Sequence, residues 1–289
     1  MASLKEVKNR ISSVNSTRKI TSAMKMVASS KLHHAQQAIE QMLPYEQKLH
    51  GIMSSFVASL EGELSSPYAV QREVKRVAII VLSSNSSLCG GFNVNVIKQL
   101  KHTLENYAAQ GIEVTHIYPI GRKVAEATKK QGFECAQDYS HLLDHPQYAS
   151  ISELSAHIME QFTKGEIDQV DIQYHHFKSA GSQVLLSETY LPIKLEKEKE
   201  NENEAVANYL VEPSPQAILK ELIPQALHLK LFSSILDSLA SEHAARVIAM
   251  QVATDNADEL LSQLTLQYNK TRQQAITAEL LDIAGGSMQ

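Results

Sequence analysis

Few residues in this chain are arranged for chemistry. The strongest candidate is the run Leu88-Cys89-Gly90-Gly91-Phe92-Asn93, which follows a β-branched apolar stretch and precedes a helical one. Strand, glycine pair and helix in that order invite a phosphate-cradling loop, but the detail is wrong. The three-glycine spacing of a dinucleotide-binding turn is absent, and no lysine stands where a P-loop needs one. The glycine pair reads as a tight turn. Cys89 lacks an identifiable base and reads as a small packing residue. Cys135 has no motif partner, which fits a reducing compartment and gives no zinc spacing. His33 and His34 point to different faces of a helix, and His175 and His176 to opposite faces of a strand. Neither pair is expected to hold a metal.

With catalysis poorly supported, the elements themselves carry the reading. Ser241 to Ile283 contains no proline or glycine. Val247, Met250, Thr254, Ala257, Leu261, Leu264 and Tyr268 recur at alternating steps of three and four, then Thr271, Ala275 and Ala278 continue the stripe. That is the seam of a coiled coil, and it needs a partner. Residues 3 to about 60 offer one, with heptad positions running from Leu4, Val7, Ile11 and Val14 to Met53, Phe56 and Leu60. Arg18, Thr21, Lys25 and Glu46 interrupt it. Ser3 with Glu6 predicts a capping box, and Pro44 a kink. Through residue 31 this segment sets seven cations against Glu6 alone. A solvated helix face is the plain reading of such a run. On a chain of net charge −5 it points instead to an acidic protein partner. The same net charge argues against a general nucleic-acid binder.

Between the two helices the period changes. Arg76–Ser84 predicts a strand buried on both faces, 93–109 a helix stopped by Gly111, 114–120 a strand, and 122–130 a helix ended by Gly132. A short strand near 133–136, a helix over 151–163 and paired strands over 170–177 and 183–195 come next. The alternation implies a small α/β domain with a largely parallel sheet and an antiparallel edge. Glu196–Glu204 (EKEKENENE) lacks apolar surface and predicts a mobile loop. Ser214-Pro215 starts a helix, Pro224 ends or bends it, and the long C-terminal helix restarts there. The organisation expected is a coiled-coil helix over 1–60, an inserted α/β domain over 61–212, and C-terminal helices with a projecting tip over 213–289. The helices must pair antiparallel, because the insert joins the end of one to the start of the other. Leu4 is then expected near Ala275. The N-terminus is basic and amphipathic like a targeting peptide, but its period runs on into the body and reads as mature structure. No apolar run approaches the roughly twenty residues of a membrane span.

Two long segments carry a resemblance. RISSVNSTRKITSAMKMVASSKL (10–32), and SEHAARVIAMQVATDNA (241–257) with LTLQYNKTRQQAITAELLDIAGG (264–286), closely resemble the N- and C-terminal signatures of the gamma subunits of bacterial-type F-type rotary ATP synthases. LCGGFN (88–93) and YLVEPSP (209–215) fall where that family has similar segments, so the likeness covers essentially the whole chain. Asn85-Ser86-Ser87 departs from it: the family commonly has an acidic or amide residue, a basic residue and glycine there. No cysteine-pair insertion of the light-regulated members is present, so thiol switching is not expected.

The resemblance implies α/β plus long helices: an antiparallel two-helix coiled coil with an inserted Rossmann-like domain. It implies a rotor shaft inside a ring of three alpha and three beta subunits, its foot with the epsilon subunit on the membrane c-ring. The shaft would couple proton flow to ATP synthesis, or to the reverse hydrolysis. On that footing the chain is a non-catalytic subunit and binds no cofactor or metal itself. ATP, ADP and Mg belong to the partner subunits. Its place is the cytoplasmic face of the bacterial inner membrane, peripheral. Matching the family's motifs assigns rotor–stator contact to Met24, Lys25, Arg272 and Gln273; Thr277, Glu279 and Asp282 extend that polar surface, and Arg246, lower on the same helix, offers a second contact. Two other readings compete: a coiled-coil adaptor without a rotary role, and a nucleotide-regulated binding module using the middle domain.

Overall fold

RVAIIVL, Arg76–Leu82 (β1), is buried along nearly its whole length because it runs between two cores. Val77, Ile79 and Val81 face one side, and Ala78, Ile80 and Leu82 the other. The computed structural model describes residues 3–59, 66–133, 137–193 and 214–286. Those residues form β1, β2 (Glu113–Ile120), β3 (Gln169–Ser179) and β4 (Ser182–Leu191), with helices α1 (Leu4–Ser59), α2 (Phe92–Ala109), α3 (Arg122–Lys130), α4 (His141–Asp144), α5 (Tyr148–Thr163) and α6 (Pro215–Gly286). The sheet order is β2-β1-β3-β4. β2, β1 and β3 are parallel, and β4 closes the edge antiparallel to β3. The expected sheet is therefore present. The expected strand near 133–136 and the charged loop 196–204 fall largely or wholly outside the described residues.

Two compact units divide the chain. One comprises residues 1–30 with 246–289, the other residues 31–245. In the larger unit, α2 and α3 cover one sheet face through Val96, Leu100 and Val124. The other face packs on α5 through Ile151, Ile158 and Phe162, on α6 through Leu227, Leu231 and Ile235, and on α1 through Leu49 and Met53. Polar stitches fix α6 to the β3–β4 hairpin. Asp237 accepts from the Phe177 N–H at 2.7 Å and pairs with His176 Nδ1 at 2.5 Å, and Ser241 Oγ donates to the His175 carbonyl at 3.0 Å. The Tyr190 hydroxyl donates to the Leu227 carbonyl at 2.9 Å and lies 2.7 Å from Ser155 Oγ.

Local chemistry accounts for several element ends. Ser3 Oγ accepts the Glu6 N–H at 3.2 Å, but Glu6 pairs with Arg10 at 3.5 Å. Ser214 Oγ caps α6 by accepting the Ala217 N–H at 3.2 Å. Gly121 must be glycine. Its φ is +116°, and a Cβ there would lie 2.6 Å from the Ser83 carbonyl oxygen. Pro224 does not end a helix: α6 is unbroken from Pro215 to Gly286. Proline removes one helical hydrogen bond, while Leu219, Ile223 and Leu227 are buried on either side of it and hold the turn in place. Pro44 likewise lies inside α1.

Candidate functional site

The smaller unit holds most of the surface singled out for contact. Three polar rungs set its register. Arg18 Nη1 donates to Asp258 Oδ1 at 2.9 Å, Thr21 Oγ1 lies 2.8 Å from Thr254 Oγ1, and Lys25 Nζ donates to Gln251 Oε1 at 2.5 Å. Partner numbers fall on α6 as they rise on α1, so the pairing is antiparallel. Three of the four residues that interrupt the N-terminal apolar stripe, Arg18, Thr21 and Lys25, are thus ones that bond across the seam. Val7, Ala28, Met250, Ala257 and Leu264 are buried in the same unit. Carried along at the same offset, Leu4 falls level with about residue 272, one turn earlier than Ala275.

At that offset α1 reaches its first residue before α6 reaches its last. Thr271 is half-buried, whereas residues 272–281 are all exposed. Arg272, Gln273, Thr277 and Glu279 lie together on this segment, with Thr277 Oγ1 donating to the Gln273 carbonyl at 2.9 Å. Asp282 belongs to α6, but its side chain is outside the described residues. Met24 and Lys25 are half-buried beside the seam. Arg246 is buried and already engaged within the chain, so it is not part of the exposed group.

The reading of residue types missed a set of apolar side chains. Leu266, Leu281 and Ile283 are 66–70% exposed, and Ile276 and Leu280 are exposed with them. Ile20, Met26 and Val27 on α1 are also open. None occupies a heptad seam position, and that was the available signal: large apolar residues left over once the seam is assigned. Exposed apolar surface of this kind marks an interaction site. On α1 the accompanying charge is positive. Arg10 and Arg18 have carboxylate partners, while Lys5, Lys8, Lys19 and Lys31 are exposed.

The loop after β1 turns its polar groups on itself. Asn93 Oδ1 accepts the Ser84 N–H at 3.0 Å, and Asn93 Nδ2 reaches Ser84 Oγ at 2.8 Å and Cys89 Sγ at 3.1 Å. Cys89 is buried. Leu88, at φ +68°, and Gly90, at φ +61°, make the turn. His175 is buried and stacked on Phe92 at 4.2 Å between ring centroids, and His176 is on the opposite side with Asp237.

Comparison with known proteins agrees along the full length. The family model described as ATP synthase matches residues 3–288. The ATP synthase gamma chain of Phocaeicola vulgatus is 56% identical over 289 residues, covering all of both chains. That of Bacteroides thetaiotaomicron is 58% identical over 299 residues, again covering all of both, and that of Flavobacterium johnsoniae 43% over 287, covering 99% of this chain and 98% of its own. Among solved structures, a chain of the Euglena gracilis mitochondrial ATP synthase (OSCP/F1/c-ring, rotational state 3) matches with a TM-score of 0.60 at 18% identity. The match covers 99% of this chain and 93% of the other. A rotor chain from the same source gives 0.59, also at 18% identity, covering 94% of this chain and 98% of its own.

Proposed function

This chain belongs to the ATP synthase gamma-chain family, and we propose from that membership that its paired helices are the central rotor shaft of the complex. The observation that carries the reading is the end of α6. Past the last seam residue it continues as a single helix bearing Ile276, Leu280, Leu281 and Ile283 in the open, with Arg272 and Gln273 at its base. Such surface needs a cover, and a collar of partner subunits supplies one. A coiled-coil adaptor would explain the seam, but nothing in the fold or the relatives favours it.

The shaft stands in a ring of three alpha and three beta subunits. The sheet domain, with the epsilon subunit, sits on the c-ring at the cytoplasmic face of the membrane. No described helix is long and apolar enough to cross a membrane. Nucleotide, magnesium and bond-making belong to the ring. This chain contributes asymmetry: one shaft touches three otherwise equivalent sites differently, and each contact favours one conformation of its neighbour. Arg272 is suited to such a contact, because its planar fork of five donors can grip loop carboxylates and carbonyls. The basic α1 face and Lys25 meet acidic surface on a beta subunit. These contacts must also release, and exposed charge pairs are weak enough to do so.

The test uses the assembled complex. Wild-type chain is expected to co-purify with alpha and beta subunits. Arg272→Ala and Gln273→Ala are expected to alter ATPase rate or rotor retention, while the free subunit melts as wild type within about 0.5 kcal/mol. Full activity and full proton pumping in both variants would reduce these residues to ordinary solvated surface.

A further inference from the structure

The face of β3 toward α2 is polar where apolar packing would be ordinary. Asp171, Gln173 and His175 alternate along it, and all three are buried. Tyr107 and Thr103 of α2 meet this column: the Tyr107 hydroxyl donates to Asp171 Oδ2, and Gln173 Nε2 donates to Thr103 Oγ1 at 2.8 Å. Gln173 Oε1 is buried without a hydrogen-bond partner among the described residues. Beyond α2 no described residue covers the sheet surface, leaving a cleft of about 550 Å³ toward β4. Asp171, Gln169, Tyr107, Thr103, Asn106 and Ser187 line it.

We propose that this cleft is a binding site for an alkylammonium group, held on the Asp171 carboxylate. Asp171 is only 7% exposed, and among the described residues its hydrogen-bond partners are the neutral groups of Tyr107 and Gln169. A buried carboxylate without a cation is costly, and an incoming cation relieves that cost. The acceptor count selects the kind of cation. An ionised carboxylate has about four lone-pair positions. Gln169 Nε2 takes one on Oδ1 at 2.8 Å and Tyr107 takes one on Oδ2. The positions left over include one that a single-donor contact can fill without displacing either bond. A single carboxylate is poor provision for a divalent metal, which wants a shell of oxygens. An ammonium is a compact charge with three donors. One donor fits the free Asp171 position, and the others suit the hydroxyl and amide oxygens of Ser187, Thr103 and Asn106. The volume admits the attached alkyl chain. The same chemistry is carried by a free diamine and by a lysine side chain of a polypeptide. The inference stands independently of the rotor reading.

The experiment tracks the Asp171 carboxyl carbon by NMR in the full chain, titrating pH with and without a probe. The probes are putrescine and Nα-acetyl-lysine-N-methylamide, with tetramethylammonium as a cation that has no N–H donor. Both amines are expected to give a saturable shift and to lower the pKa of Asp171, which burial raises in the empty fold. Asp171→Asn should weaken binding at least about tenfold, the scale of a hydrogen bond to a charged group. Tighter binding of the lysine amide than of putrescine points to a polypeptide source, and the reverse to a free amine. A carboxylate with a purely structural role titrates identically with and without amine. That result, or equal effects from tetramethylammonium, or unchanged binding in Asp171→Asn, overturns the proposal. If Asp171→Asn does not fold, the wild-type comparison of putrescine with tetramethylammonium decides alone.

Discussion

His175 makes the folded sheet domain sensitive to acid in a calculable way. The ring is 3% exposed, stacked on Phe92, and has no partner for Nδ1 among the described residues. Burial lowers its pKa from 6.5 to about 4. Below pH 6.5 the unfolded chain therefore takes up a proton that the folded chain refuses. The stabilising contribution is complete above 6.5 and is lost as pH falls toward 4. Between pH 7 and pH 4.5 that loss comes to about 2.5 kcal/mol. His175→Phe keeps an aromatic ring against Phe92 and abolishes the titration. The chain has no tryptophan, so urea unfolding can be followed by tyrosine emission. Tyr118, Tyr174 and Tyr190 are all buried in this unit. With a urea slope of about 2.5 kcal/mol/M, the wild-type midpoint should fall by roughly 1 M more than the variant's between the two pH values. His228, also lowered by burial, and Asp171, raised by it, are common to both proteins and cancel in the comparison. Parallel pH dependence in wild type and variant would refute the reasoning, because His175 would then be protonated equally in the folded and unfolded chain.

Two further outcomes are expected. Lys25→Glu replaces the donor to Gln251 with an acceptor near Asp255, to which Gln251 Nε2 already donates at 2.7 Å; it should weaken coupling of ATP hydrolysis to proton pumping, and unchanged pumping per ATP in membrane vesicles would remove Lys25 from that role. Gly121→Ala must place a Cβ 2.6 Å from the Ser83 carbonyl oxygen at a positive φ, so denaturant unfolding should show a loss of about 2–4 kcal/mol, and a stability within error of wild type would rule out the strain.

The long elements were legible because their signals are redundant. α1 and α6 carry heptads over many turns, and β1 is apolar at every position from Val77 to Leu82. Single residues with competing roles were harder to read. Pro224 signals a break, but a buried strip on both sides outweighs one lost hydrogen bond. VDIQYHH alternates apolar and polar, the pattern of a half-solvated strand; α2 lies over the polar side and buries it, a tertiary fact that period cannot express. The four residues of α4 are too few to show a period. At the contact surface, family motifs pointed to Arg272 and Gln273, and the fold exposes both. Arg246 is at a motif position too, yet it is buried, because motif matching says nothing of which side a helix turns inward.

The exposed apolar residues of α6 bear on how a shaft can be held and still turn. Hydrogen bonds are directional, so a tip gripped by many of them would have preferred angles and deep barriers between them. Burial of apolar surface is non-directional and scales with area removed from water. Covered by apolar surface, a tip of Ile276, Leu280, Leu281 and Ile283 would be centred without a strong angular preference. Directional contacts would then need to be few, and the contact proposed for the exposed Arg272 would be screened enough to break. Within the smaller unit the opposite requirement applies, since its two helices must not slide past one another. That is where the directional bonds are found, at Arg18–Asp258, Thr21–Thr254 and Lys25–Gln251. Each fixes register in a seam whose small residues alone would specify it poorly. The polar interruptions of the heptad stripe at Arg18, Thr21 and Lys25 thus lock the two helices to each other, while the apolar residues outside it suit the looser contact proposed above for a turning shaft.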